Sequence, residues 1–119
     1  MSNFQNAKRY DLEERTETFA RKIGQFVMCI PKTMSNLEYC KQLIRSSGSI
    51  GANYIEANEA LSKKDFLVRI KICRKESKES RYWLNLIDCP DSILNRKDTL
   101  LQESTELMKI FGSIVTKSV

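Results

Sequence analysis

Apolar residues recur every three or four positions in four separate stretches of this chain. That spacing excludes most folds, because it places each apolar set on one face of a helix. The first stretch runs from Asp11 to Ile30, where Leu12, Phe19, Ile23, Phe26, Val27 and Ile30 share a face and Pro31 ends the run. The second runs from Ser35 to Ala60, with Ser35 as the expected cap and Glu38 as its reciprocal partner. Its stripe is Leu37, Cys40, Leu43, Ile44, Ile50, Tyr54 and Ile55. Gly48 and Gly51 interrupt it, each at a cost of about 1 kcal/mol against Ala. The stripe keeps its phase across them, so one continuous helix is expected. The third stretch opens at Ser62, with Asp65 as the capping-box acid, and carries Phe66, Ile70, Cys73, Ser77, Leu84 and Ile87 as far as Asp88. Cys89-Pro90-Asp91 stops it. The fourth begins at Asn95 or Lys97 and ends at Lys117, with Leu100, Leu101, Leu107, Met108, Phe111, Ile114 and Val115 on one side.

Four amphipathic helices with short connections predict an all-α, up-down-up-down antiparallel four-helix bundle. Only 4 Gly and 2 Pro in 119 residues leave too few turn formers for a many-stranded β protein. One domain is expected over residues 11–119, with the first ten residues disordered or frayed. Phe19, Phe26, Leu43, Phe66, Ile70, Leu84, Leu107 and Phe111 hold the central phase of their stripes and are the expected core.

Histidine is absent, which removes the commonest general base, the Ser-His and Cys-His pairs and every imidazole metal ligand. Cys29, Cys40, Cys73 and Cys89 form no CxxC and read as reduced thiols in a chain without an export signal. No apolar run approaches the roughly 20 residues of a membrane span. A cytoplasmic protein with no catalytic residues, cofactor, metal or membrane partner is expected. The net charge of +5 is compatible with an anionic partner, and its distribution carries more information than its size.

From Ser62 to Tyr82 eight basic residues stand against three acidic ones, a surplus equal to the net charge of the whole chain. On a helical wheel Lys64, Lys71, Lys75 and Lys78 fall in one stripe, with Arg74 on its flank and Tyr82 at its end. A surface that tracks phosphates needs such a row. The second helix offers a different face: Gln42, Arg45, Ser49, Asn53 and Glu56 lie away from the apolar stripe, among Ser46, Gly51, Ala52, Ala57 and Ala60. Short polar side chains let another backbone approach, so this face, with Val68 and Ile72 beyond the core arc of the third helix, reads as a subunit contact. In an antiparallel pair turning near Leu61–Ser62, Arg45 reaches the level of Glu76 and Glu79. A structural polar network of these three is expected, rather than a metal site.

The run from Gln42 to Ala57, QLIRSSGSIGANYIEA, resembles the signature of a family of bacterial four-helix-bundle proteins. The family includes proteins encoded in intervening sequences of 23S ribosomal RNA genes. Lys63-Lys64-Asp65-Phe66, Lys75-Glu76, Glu79 and Tyr82-Trp83-Leu84 resemble its next block, and the segment from Leu101 to Val115 resembles its ending. Arg74 and Ser77 stand where apolar or small residues are more common. The resemblance implies a ring-like homopentamer. It also implies similarity to the accessory variability determinant proteins of diversity-generating retroelements, which bind nucleic acid and a reverse transcriptase.

Two functional expectations follow. One is a non-catalytic oligomeric accessory protein that binds structured RNA or another nucleic acid with low sequence selectivity, through Lys64, Lys71, Arg74, Lys75 and Lys78. With few aromatic residues expected at the surface, base stacking is a minor part of that reading. The other is an interaction scaffold whose basic face meets an acidic protein partner.

Overall fold

The computed structural model describes the backbone of residues 3–119 and the side chains from Asp11 onward. Four long helices, α1 (Asn3–Val27), α2 (Met34–Asn58), α3 (Lys63–Leu86) and α4 (Leu94–Ser118), pack as an up-down-up-down bundle. A 3-10 turn, Asp91–Ile93, leads into α4. There is no strand among the described residues. The expected fraying of the first ten residues falls partly on Met1 and Ser2, which lie outside the described residues. Over residues 3–10 only the helical backbone is described.

The helix ends show how local chemistry sets the boundaries. Ser62 caps α3 as expected, its hydroxyl accepting from the Asp65 amide at 3.1 Å. The expected cap at Ser35 is corrected to Thr33. Thr33 is the last extended residue after the proline turn, and its Oγ1 accepts from the Asn36 amide at 3.2 Å. Asn36 is itself fully buried and ties two loops together. Its Nδ2 donates to the carbonyls of Pro31 (3.1 Å) and Asp88 (2.8 Å), and its Oδ1 accepts from the Asp88 amide (3.0 Å). Lys97 donates to the Ile87 carbonyl at 2.8 Å and so satisfies an acceptor at the end of α3.

The core fills the space between the four helices. Phe19, Phe26, Leu43, Ile70, Leu84, Leu107 and Phe111 are buried as expected, joined by Ile23, Ile50, Tyr54, Cys73 and Ile87. Phe66 departs from the expectation: it is half-buried, in the first turn of α3, where the bundle offers fewer neighbours. Leu37, Ile44 and Ile55 also depart, each more than half exposed on the outer flank of α2. Leu43, Ile50, Tyr54 and Ala57 already fill the inner face, and a stripe seven residues strong is wider than the bundle can cover.

α2 runs unbroken through Gly48 and Gly51. Gly51 is half-buried and faces α1. A Cβ there would lie 3.0 Å from Oγ1 of Thr16 on α1, so the missing side chain sets how closely α1 and α2 approach. Ser46 and Ala57 are buried within the chain.

Candidate nucleic-acid interface

α3 divides its charges between two sides. Ile70, Cys73, Ser77, Ser80 and Leu84 face inward. Lys64, Lys71, Arg74, Lys75 and Lys78 are all exposed, and none of the five pairs with a carboxylate among the described residues. Arg74 lies over Gly112 of α4, its Nε 3.5 Å from where a Cβ on that glycine would stand. The acidic residues of the helix are occupied elsewhere. Asp65 sits in the first turn, where the helix dipole favours it, and Glu76 and Glu79 turn toward α2. The outer face of α3 therefore carries a row of cations, one or two turns apart, with no ion pair to any described carboxylate.

Toward α2 the same helix forms a continuous polar band. Arg45 donates to Oε2 of the buried Glu76 at 3.0 Å and to Glu79 beside it, and its Nε reaches Gln42 at 3.3 Å. Burial raises the Glu79 carboxyl, but hydrogen bonds from the Trp83 indole (3.2 Å) and Arg45 outweigh it and hold the group below the usual carboxylate range. Asn53 donates to the carbonyl and hydroxyl of Ser49 at 2.9 and 3.0 Å, and accepts from Arg69 of α3 at 3.0 Å. Beneath this band, the buried hydroxyls of Ser46 and Ser80 meet at 2.8 Å.

Four residues expected at a subunit contact, Gln42, Arg45, Ser49 and Asn53, thus spend polar groups inside this chain. Glu56 is exposed, Ile72 is half-buried and Val68 is 49% exposed, so the apolar part of that face is open. Sequence reading missed Arg69 and the Ser46–Ser80 pair. The antiparallel register that brings Arg45 to Glu76 also places Asn53 beside Arg69 and Ser46 beside Ser80, so the signal was present.

An aromatic group closes the Asn85 end of the lysine row. The Trp83 ring stacks against Tyr39 of α2 (centroids 6.2 Å apart, 29° between planes) and meets Tyr82 edge-on (5.0 Å, 73°). Tyr82 remains 56% exposed.

The sequence model of the 23S rRNA-intervening sequence proteins matches residues 8–113, nearly the whole bundle. The chain belongs to that family. No curated protein matches the chain. Among solved structures it is similar to a protein of unknown function from the S23 ribosomal protein family of Bacteroides thetaiotaomicron. The two share 28% identity and a TM-score of 0.77, over 92% of this chain and 98% of that one.

Among the described residues no three His, Cys, Asp or Glu side chains gather as a metal site requires. Burial pushes the Cys73 thiol up to about 12, which keeps it protonated and unreactive. No described helix is long and apolar enough to cross a membrane. The grooves between α1 and α4 are shallow, and Arg15 crosses the seam to Glu103 (2.7 Å) and Glu106 (3.0 Å).

Proposed function

We propose that this protein is a non-catalytic, oligomeric accessory protein of the cytoplasm that binds structured RNA, or another nucleic acid, through the lysine face of α3. One observation carries the reading. Lys64, Lys71, Arg74, Lys75 and Lys78 are exposed together and pair with no carboxylate among the described residues, while the carboxylates of the same helix are drawn to α2 or to its first turn. Such a face attracts phosphates through counterion release and reads no sequence. The open apolar surface at Val68 and Ile72, beside the polar band from Gln42 to Glu56, supports self-association, and the family resemblance makes the homopentamer the preferred state. Repeating the lysine row around a ring would add weak contacts into a strong one.

The same apolar surface favours the alternative, a scaffold whose basic face meets an acidic protein. Fluorescence anisotropy with a generic RNA duplex separates the two. RNA binding predicts affinity that falls with salt at a log-log slope of roughly −0.7 to −0.9 per phosphate neutralised. Reversing Lys71, Lys75 and Lys78 together to Glu should abolish it with the helical content unchanged. No binding by the unaltered protein at low salt, or equal binding by the triple variant, leaves the scaffold as the better account.

A further inference from the structure

The row of cations on α3 does not end in solvent. Lys75, Lys78 and Tyr82 follow one another along the same face, three and four residues apart, so the tyrosine stands one helical turn beyond the last lysine. At 1.5 Å per residue the row from Lys64 to Tyr82 spans about 27 Å. A lone exposed tyrosine would be unremarkable, but this one is held in place. Its ring meets the edge or face of Trp83 at 5.0 Å. Trp83 is fixed in turn by the Tyr39 ring and by the hydrogen bond from its indole nitrogen to Glu79. Glu79 is held by Arg45. A chain of contacts running from α2 to the surface thus braces one side of an aromatic ring whose surface is more than half open. Bracing by Trp83 lowers the conformational entropy that the ring loses on a ligand.

The geometry points to Tyr82 as a stacking platform for an unpaired nucleobase, at the end of a phosphate track formed by Lys71, Lys75 and Lys78. This rests on the lysine face binding RNA, and it names the class of RNA: a structured RNA with an unpaired nucleotide beside its stem. A blunt duplex offers phosphates to the lysines but keeps the faces of its bases stacked on one another. A loop, bulge or single-stranded end supplies both phosphates and a free π-face. Stacking tolerates any base, so the platform adds selectivity for unpaired RNA without adding selectivity for sequence.

The test compares two labelled RNAs carrying equal numbers of phosphates, a hairpin with a loop of unpaired uridines and a blunt duplex, by anisotropy at low salt. The unaltered protein should bind the hairpin more tightly. Tyr82→Ala should weaken hairpin binding roughly 5- to 150-fold, the worth of one base–aromatic stack, and leave duplex binding unchanged. Tyr82→Phe, which keeps the ring, should retain hairpin binding. Trp83 is the sole tryptophan, so its emission should change on adding the hairpin and not on adding the duplex. Hairpin affinity unaltered in Tyr82→Ala, while the triple lysine reversal still abolishes binding, would overturn the platform and leave the phosphate track standing. Binding of neither RNA by the unaltered protein would overturn both.

Discussion

The seam between α2 and α3 and the seam between α1 and α4 solve the same problem with different residues. At the first, short side chains let the helices close on each other, and the hydroxyls of Ser46 and Ser80 bond in the interior. Arg45 then covers the gap above and neutralises a buried carboxylate. At the second, the helices stand further apart and leave grooves at their junction, and a long arginine spans the distance from Arg15 to Glu103 and Glu106. Both seams contain an Arg bound to two Glu, yet the side chains differ in exposure: 6% for Glu76 against 27% and 46% for Glu103 and Glu106. An ion pair holds a fold together in proportion to what its loss leaves stranded, and only Glu76 would be stranded out of water.

Removing each arginine tests that difference directly. Arg45→Ala should cost about 3 kcal/mol, because it removes the partner of a carboxylate that is buried in the seam. Arg15→Ala should cost about 1 kcal/mol or less, because both of its partners can turn to solvent. Urea unfolding at neutral pH, followed by helical circular dichroism, measures both. Equal costs would mean that the two seams are energetically alike and that burial of Glu76 has no special consequence.

The hydroxyl pair sharpens the picture of the tight seam at a smaller scale. Ser46 also donates to the Leu43 carbonyl at 3.3 Å, whereas the bond to Ser46 is the hydrogen bond described for Ser80. Ser46→Ala therefore orphans a buried hydroxyl and should cost about 1–3 kcal/mol. Ser80→Ala leaves Ser46 with its backbone acceptor and should cost less. The double variant should recover part of the loss, since two matched methyls leave no polar group unpaired. Additive losses across the three proteins would show that the serines act independently.

Much of this was legible in the sequence, and the reason is periodicity. The four stripes fixed the number of helices, the bundle and all but one of the named core residues, because burial of a helix face depends on spacing more than on detail. The stripes overreached at Leu37, Ile44 and Ile55: an apolar residue at the right spacing shows which flank it occupies, not whether a neighbour reaches that far. The Asn36 clasp was invisible, since two loops distant in sequence meet only after the bundle has formed. The lysine row was visible because like charges on one wheel phase need no tertiary information. Tyr82 was placed at its end, but its support by Trp83 and Tyr39 depends on the α2–α3 register, which the wheel of one helix does not carry.

The smallest expected effects come from two glycines three residues apart on α2, and they separate close approach from open space most cleanly. Gly51 faces α1, where a new Cβ would stand 3.0 Å from Oγ1 of Thr16. Thr16 cannot give way: it is 1% exposed, and its hydroxyl donates toward the carbonyls of Leu12 (2.8 Å) and Glu13 (3.1 Å). Gly48 has nothing within 4 Å of the same built atom. Both positions are helical, so alanine brings each the same gain of about 0.5–1 kcal/mol from reduced unfolded-state freedom and better helix propensity. Gly48→Ala should keep that gain and raise the unfolding midpoint. Gly51→Ala should forfeit it to the strain of pushing α1 away, and lower the midpoint. Stabilisation by both variants would show that α1 shifts without cost, and that the α1–α2 spacing is not set by the missing side chain.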